Sequence, residues 1–455
     1  MYLNILFNKI MKTGSVPDYW AEIITKMLHK KGDKNKPENY RPISLVNTIV
    51  KIFTLILNER ISKWAEKNKK IPEWQAGFRA KRSTSDQIFV LNTLIQTHLR
   101  KKGGKLYALF VDLKSAFPSV SHSLLWKKLK NMGLSNKIIN VLMDLYSKAN
   151  MVVKNSEGIS EACQITQGVL QGETLSPLLF SLFIADIEEF LIKKHGLRGV
   201  SLNHLVEVIM LAFADDMVFF ADTSVLFNKV ILGLKDYFSQ NRLTINIKKT
   251  KAILFKKGGF GSVKDRPSLF YDKDVIEYEK EYVYLGVPFV QSGLFEKATK
   301  YFSDRGKKAI QPTLNVINKI KTVDINLCNK LFKTLVSSIV LYAAPIWSLQ
   351  YVEELEKIQN IFYIKLLAIP VNTPDYAIKA ETGMEKVEVT VFNLVLNYIQ
   401  KILEMSENSL PKICFKRLLV LSKGNKNEKK YNWVNQVKDV FFAKINKTIT
   451  FLLNF

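Results

Sequence analysis

The sequence predicts an α+β protein, with a strand-bearing middle held between helical flanks. Three observations lead there. Short apolar runs ending in carboxylates, KLYALFVD at 105–112 and LAFADD at 211–216, lie near the middle of the chain. Apolar residues recur at helical spacing in ISLVNTIVKIFTLILNERISKWAEK, 43–67, and again from about 296 to the end. Between those flanks strands and helices alternate without the regular spacing of βαβ units.

Taken in order, KKGDKNKPENYRP at 30–42 is a turn-rich basic loop before the helix of 43–67. A second basic loop, GFRAKRSTSDQ, ends in Ser and Thr residues suited to cap the helix carrying Ile88, Leu91, Leu94 and Ile95. Leu106–Val111 is a short strand, and the chain to about 165 reads as mostly helical, with HSLLWKKLKNMGL its clearest amphipathic piece. One helix is expected in LSPLLFSLFIADIEEFLIKKHG, with Ser176 as N-cap, Pro177 at the first position, and Lys193 and Lys194 before Gly196 at its end.

LAFADDMVFFAD, 211–222, reads as strand, tight Ala-Asp-Asp turn, strand. Both arms are apolar on both faces, so the hairpin is expected at the centre of a sheet. LFNKVILGLKDYFSQNRL is helical, LTINIKKTKAILFKK is strand, turn, strand, and YVYLGVPF, 282–289, is one further strand. Helices then continue to the end with basic breaks such as KGNKNEKK at 423–430. The sequence contains no internal repeat.

The 455 residues, 47% hydrophobic and 24% charged, suit a globular chain with a sizeable core. With 67 Lys and Arg against 41 Asp and Glu, the formal charge is +26. A polyanionic partner follows, nucleic acid ahead of a membrane surface. Cys163, Cys328 and Cys414 are too dispersed for a zinc ribbon or disulfide framework, which points to a reducing, intracellular setting. Pro177 and Asp186 interrupt the best apolar run, no membrane span is expected, and the opening MYLNILFNKIMK lacks a signal-peptide pattern.

Two adjacent carboxylates in an apolar hairpin repel each other and drift toward protonation unless a cation compensates. Asp112, also at a strand end, supplies a third oxygen ligand. Hard divalent ions such as magnesium take oxygen ligands and leave positions for phosphate. Two such ions about 3.5–4 Å apart clamp the attacking and leaving oxygens of an in-line phosphoryl transfer. An isolated Asp pair in a turn is more often a solvated turn, so the neighbouring motifs carry the weight.

Those motifs resemble the reverse transcriptase domain of non-LTR, LINE-type retrotransposons over about 15–290. KKGDKNKPENYRPISLVN and QAGFRAKRSTSDQIFVL are similar to its fingers motifs, VDLKSAFPSV and QGVLQGETLSPLLFSLFIADI to its first two palm motifs, and FADD to its metal-binding hairpin. LTINIKKTK and YLGVPF resemble the two motifs that follow. LYAAPIWSLQYVEELEKIQNIFYIKLLAIP, 341–370, resembles more loosely the region downstream of such polymerases. The resemblance implies a right-hand polymerase with an antiparallel palm sheet. Its regions would be fingers at 1–100, palm with inserted fingers helices and a primer-grip strand at 101–290, a helical thumb-like region at 291–405, and a basic helical tail at 406–455.

Position by position, the resemblance makes Asp112 and Asp215 the principal metal ligands. Asp216 would be the adjacent carboxylate, with turn-shaping as its alternative, and the Leu113 carbonyl a further contact. The ions would be two Mg2+, with Mn2+ as a substitute. Phe117 would sit under the incoming sugar and select dNTPs, unless it is an ordinary core ring. Gln171 and Gly172, followed by Ser176-Pro177, would meet the nucleotide; the earlier Gln167-Gly168 belongs to the approach loop. Lys31 and Arg41 would hold the triphosphate, against the plainer reading of a solvated basic loop. Lys249 would protonate the pyrophosphate, with Lys248 and Lys251 as competitors. Arg79, Lys81 and Arg82 would meet the template backbone, and Gly286 would let a primer strand approach.

Pro118 departs from the family pattern, where Asp often follows Ala-Phe. No endonuclease, zinc-knuckle spacing or ribonuclease H carboxylate set is found, and the sequence leaves open whether the chain is a fragment of a longer element protein. The resemblance implies an RNA-directed DNA polymerase working on template RNA, DNA primer and dNTPs, and residence in the nucleus. The rival readings are an RNA-directed RNA polymerase, or a decayed or domesticated remnant that binds RNA without polymerising.

Overall fold

The computed structural model describes residues 2–20, 22–154, 158–257, 265–423 and 430–444. Most of the KGNKNEKK break lies outside them. The first elements are α1 (Tyr2–Thr13), β1 (Glu22–His29), β2 (Tyr40–Leu45), α2 (Thr48–Lys67), α3 (Thr84–Leu99) and β3 (Lys105–Val111). Then come α4 (His122–Asn131), α5 (Asn136–Ser147), β4 (Asn150–Val153), β5 (Cys163–Gln164), α6 (Ser176–Phe183) and α7 (Ile187–His195). A small ladder of β6 (Val200–Ser201) with β7 (Glu207–Val208) precedes β8 (Met210–Phe213), β9 (Asp216–Ala221), α8 (Ser224–Gln240) and β10 (Lys251–Lys256). Two hairpins follow, β11 (Leu269–Tyr271) with β12 (Asp274–Ile276), and β13 (Glu281–Tyr284) with β14 (Val287–Val290). The rest is helical, beginning with the long α9 (Glu296–Ile320).

The central sheet runs in the order β10-β3-β9-β8 and is antiparallel throughout. Leu106 to Val111 on β3 and Met217 to Ala221 on β9 are buried, which explains why these strands read as continuous apolar runs. A second sheet, β2-β1-β4-β5, pairs the basic hairpin with a parallel β4. Helix α3 lies against β3, β8 and β10 and is buried from Asp86 to Leu99, opened by a capping box of Ser83 with Asp86.

Several sequence expectations change. The stretch 150–164 contributes two strands to the second sheet, so 112–165 is not purely helical. The helix expected over 176–195 breaks into α6 and α7. Ser176 is its first helical residue and not its cap: the Glu173 carboxylate accepts from Leu175 N–H at 2.8 Å and Ser176 N–H at 3.1 Å, taking the capping role. Gly196 ends α7 at φ +58 as read. In the FADD hairpin β9 is central but β8 is an edge, covered by Trp74 and Gln75. Residues 243–250 make only an isolated bridge, Leu113 to Ile245, before β10. YVYLGVPF is two strands around Leu285 and Gly286, both at positive φ as a two-residue I′ turn demands.

The C-terminal part is packed into the rest. Helix Val387–Glu404 brings Tyr398 edge-on to Phe89, with ring centroids 5.5 Å apart, and Lys401 onto the start of α3. Helix Leu410–Ser422, expected as part of a basic tail, lies against α3 with Cys414 and Leu418 fully buried. Trp433 is equally buried, its backbone N–H donating to Gln96 Oε1 at 2.9 Å.

Candidate active site

The carboxylates gather where three strand ends meet. β3 ends one residue before Asp112, and β9 begins at Asp216, one residue after Asp215. The two-residue turn Ala214-Asp215 joins β8 to β9, with Phe213 paired to Asp216. Asp112 is anchored by its backbone: its N–H donates to the buried Thr250 hydroxyl at 3.2 Å, and its carbonyl accepts Asn246 N–H at 2.8 Å. The 243–250 segment therefore lies beside the end of β3 and carries Lys249 onto the site. Lys249 Nζ stands 3.4 Å from Asp112 Oδ2.

The electrostatics are those of a site short of positive charge. Burial pushes the Asp215 carboxyl upward and Asp112 adds to this, while Arg41 and Lys249 pull it back. Asp216 is open to solvent on one side, yet the protein around it, then Asp215 and Asp112, push it up to about 6 against Lys249. Asp112 Oδ2 is buried and accepts no well-formed hydrogen bond, with the Lys249 ammonium 3.4 Å away as its partner charge. Among the described residues no three His, Cys, Asp or Glu groups are drawn up to coordinating distance of one point. Like charges that repel are not expected to close up alone. A buried carboxylate oxygen without a hydrogen bond and two carboxyls held above their ordinary range, with Lys249 the facing ammonium, fit hard divalent cations, for which Asp112, Asp215 and Asp216 would be the oxygen donors.

The remaining predicted residues separate by position. Arg41 lies within electrostatic reach of Asp215. Lys31 is exposed in the β1–β2 loop, beyond the His29–Tyr40 pair and farther out than Arg41. Phe117 is half-buried and stacks on Phe180, with centroids 5.0 Å and planes 15° apart. The Gln171 backbone carbonyl accepts Ser44 N–H of β2 at 2.7 Å, while its side-chain Oε1 is buried without a partner. Gly172, at φ +100, passes so close to β2 that a Cβ would meet Ser44 O at 3.0 Å. In the Gln167-Gly168 loop, Gly168 lies against Pro118, whose Cα is 2.8 Å from where a Cβ would stand. Pro118 thus meets a glycine cut to fit it.

The loop arginines are consumed by internal partners. The Arg79 guanidinium is taken up by Glu66 at 2.8 Å and by the Pro72 and Gln75 carbonyls, with little of it exposed, which leaves it few donors for a template. Arg82 is likewise paired to Glu73 at 2.6 Å, leaving Lys81 as the exposed cation of that loop. Lys251, a competitor of Lys249, is held by Glu277 on the flank of β10. Gly286 has Tyr342 against it, 3.2 Å from where a Cβ would stand, and Tyr342 Oη donates to the Leu285 carbonyl at 3.0 Å.

Sequence reading passed over Thr250, Tyr282 and Gln75. Tyr282 stacks on Phe110, centroids 4.3 Å apart, and burial with Asp216 and Asp112 nearby pushes its hydroxyl up to about 12, so it stays protonated beside the carboxylates. The alternation of tyrosines in EYVYLG was the available signal.

The model of the reverse transcriptase (RNA-dependent DNA polymerase) family matches residues 28–289, more than half of the chain. The chain belongs to this reverse transcriptase family. It is 28% identical over 305 residues to the retrovirus-related Pol polyprotein from type-1 retrotransposable element R2 of Popillia japonica, covering 66% of this chain and 42% of that one. It is 24% identical over 428 residues to the RNA-directed DNA polymerase from mobile element jockey of Drosophila melanogaster, covering 90% and 44%. The reverse transcriptase chain described here thus spans less than half the length of these curated relatives. Among solved structures it is similar to apo telomerase from Candida tropicalis, at 14% identity and TM-score 0.47 over 95% of this chain and 72% of that one. Among the described residues of the reverse transcriptase, no helix is long and apolar enough to cross a membrane.

Proposed function

We propose that this reverse transcriptase is an RNA-directed DNA polymerase of the non-LTR retrotransposon type, extending a DNA primer 3′-OH with dNTPs along template RNA. The observation that carries the reading is the meeting of Asp112, Asp215 and Asp216 with Lys249 and Arg41 at one place. When bound, two Mg2+ or Mn2+ ions supply the charge that activates the 3′-oxygen and offsets the leaving oxygens. Asp112, Asp215 and Asp216 are the groups that would hold them.

The chain's own residues do the rest. Arg41 offers positive charge to the triphosphate, with Lys31 as a more distant cation. Gln171, with its free side-chain oxygen, and Gly172 place the nucleotide against β2. Phe117 is held by Phe180 where a ring crowds a 2′-hydroxyl. The 3′-hydroxyl loses its proton to solvent as its oxygen bonds to the α-phosphorus and the bond to pyrophosphate breaks, and Lys249 gives a proton to the pyrophosphate oxygen. Lys and Arg meet phosphates with little base preference, so binding falls steeply with salt. Service to an inserting element implies work in the nucleus.

Primer extension by the purified chain on poly(rA)/oligo(dT) with Mg2+, beside Asp215→Ala, tests this. Extension well above the variant supports the reading; equal signals would sink it, and rNTP use as ready as dNTP use would favour RNA synthesis instead.

A further inference from the structure

The turn that carries Asp215 is held from outside by a buried amide. Gln75 is fully buried, and its side chain pairs with Ala214 as a neighbouring strand would: it accepts Ala214 N–H at 2.9 Å and donates to the Ala214 carbonyl at 3.1 Å. The same Gln75 oxygen accepts Gly77 N–H at 2.9 Å. The backbone on either side runs along β8, Ala212 N–H donating to the Trp74 carbonyl at 2.8 Å and Ala76 N–H to the Ala212 carbonyl at 2.9 Å. Gly77 comes so near that a Cβ there would lie 2.2 Å from Ala214 N.

Ala214 sits at φ +59, a conformation that a residue with a Cβ takes only when its surroundings impose it. The residue in that conformation immediately precedes Asp215, so its dihedrals aim the carboxylate. We propose that Gln75 is a positioning residue: it holds Ala214 in the left-handed region and thereby sets where Asp215 presents its oxygens to the metal site. Gly77 is its companion, because only a residue without Cβ lets the clamp close. This inference rests on the polymerase reading for its consequence in catalysis, though not for its geometry.

Primer extension at saturating substrates, Mn2+ titration of the nucleotide-free chain, and amide exchange at Ala214 are measured for wild type, Asp215→Ala, Gln75→Ala and Gly77→Ala. Gln75→Ala is expected to lower kcat about a hundredfold, as a misplacement of roughly 1 Å does. It should also weaken Mn2+ binding and speed Ala214 exchange, with primer–template affinity within about threefold because the phosphate contacts are untouched. Gly77→Ala, which removes no hydrogen-bonding group, should move kcat and Mn2+ affinity the same way. If wild type outpaces Asp215→Ala while both new variants keep kcat and Mn2+ affinity, the positioning role is wrong and the polymerase reading stands. If wild type does not outpace Asp215→Ala, that reading fails, and Mn2+ affinity alone decides the clamp: no change in Gln75→Ala overturns it. A kcat loss that merely follows the folded fraction, with Mn2+ affinity per folded molecule intact, also overturns it.

Discussion

Among the described residues of this reverse transcriptase, the carboxylates at the start of α3 and those at the strand ends are finished differently. At the start of α3, Asp86 is almost wholly buried and its oxygens are met by Ser83 N–H at 2.7 Å and by Lys401 Nζ at 2.8 Å to each. At the strand ends, Asp112 Oδ2 is buried with only the Lys249 ammonium at 3.4 Å, and Asp215 and Asp216 are pushed toward protonation. Asp86, completed by the chain's own donors, joins distant segments; Asp112, Asp215 and Asp216 are left short of positive charge.

The sharpest way to break the comparison is Asp215→Ala, expected to reduce extension roughly a thousandfold or more, on the scale of losing a principal electrostatic group. The melting temperature should hold or rise, since a repelled charge is removed. A large loss of stability would put Asp215 with Asp86.

Lys401→Met is the converse experiment. It strands Asp86 in a buried site, and the denaturant midpoint should fall by the equivalent of about 3 kcal/mol. Extension per folded molecule should stay near that of wild type. Unchanged stability would mean that Asp86 is satisfied without its long-range partner.

Tyr342→Phe sharpens the boundary between the two kinds of contact. It removes the donor to the Leu285 carbonyl and the 2.9 Å contact with Thr84 Oγ1, which together tie the β13–β14 turn to the start of α3. A loss of about 1 kcal/mol in stability is expected from chemical denaturation. A change confined to the metal requirement would instead place Tyr342 in the active site.

Asp216→Asn should give the smallest effect, opposite in sign. The folded-state value near 6 lies above the ordinary 3.8, so folding takes up a proton between them. The Asp216 contribution is most favourable below the ordinary value and is lost as pH climbs to about 6. Asparagine should therefore stabilise the metal-free chain at pH 7, by about 1 kcal/mol once solvent screening is allowed for, and the gain should vanish near pH 4. Metal-dependent extension by wild type should fall as pH drops through about 6, because ligands must be unprotonated to bind. A destabilised Asp216→Asn at pH 7 would contradict the account.

Much of the site was legible because its chemistry is written in residue identity. The Asp pair, Asp112 at a strand end, Arg41 in RPISL and Lys249 in NIKKT are local signals, as is the alternation of elements that predicts an α+β middle. The strand positions of β3 and β9 follow from apolar runs that only a fully covered strand tolerates. The helix break after Phe183 and the strands at 150–164 were less legible, since continuous apolar spacing carries no mark of where a chain bends. Arg79 was misread for a related reason: a basic loop announces charge without saying which neighbour will consume it.

By itself, then, the sequence determined which carboxylates and cations make up the candidate site and in what order they come, because such chemistry resides in single side chains and short spacings. Tertiary structure alone decided which charges remain available. Gln75 meets Ala214 across 139 positions and Lys401 meets Asp86 across 315. Pairings of that range depend on where the folded chain returns to itself, and no local pattern encodes that return.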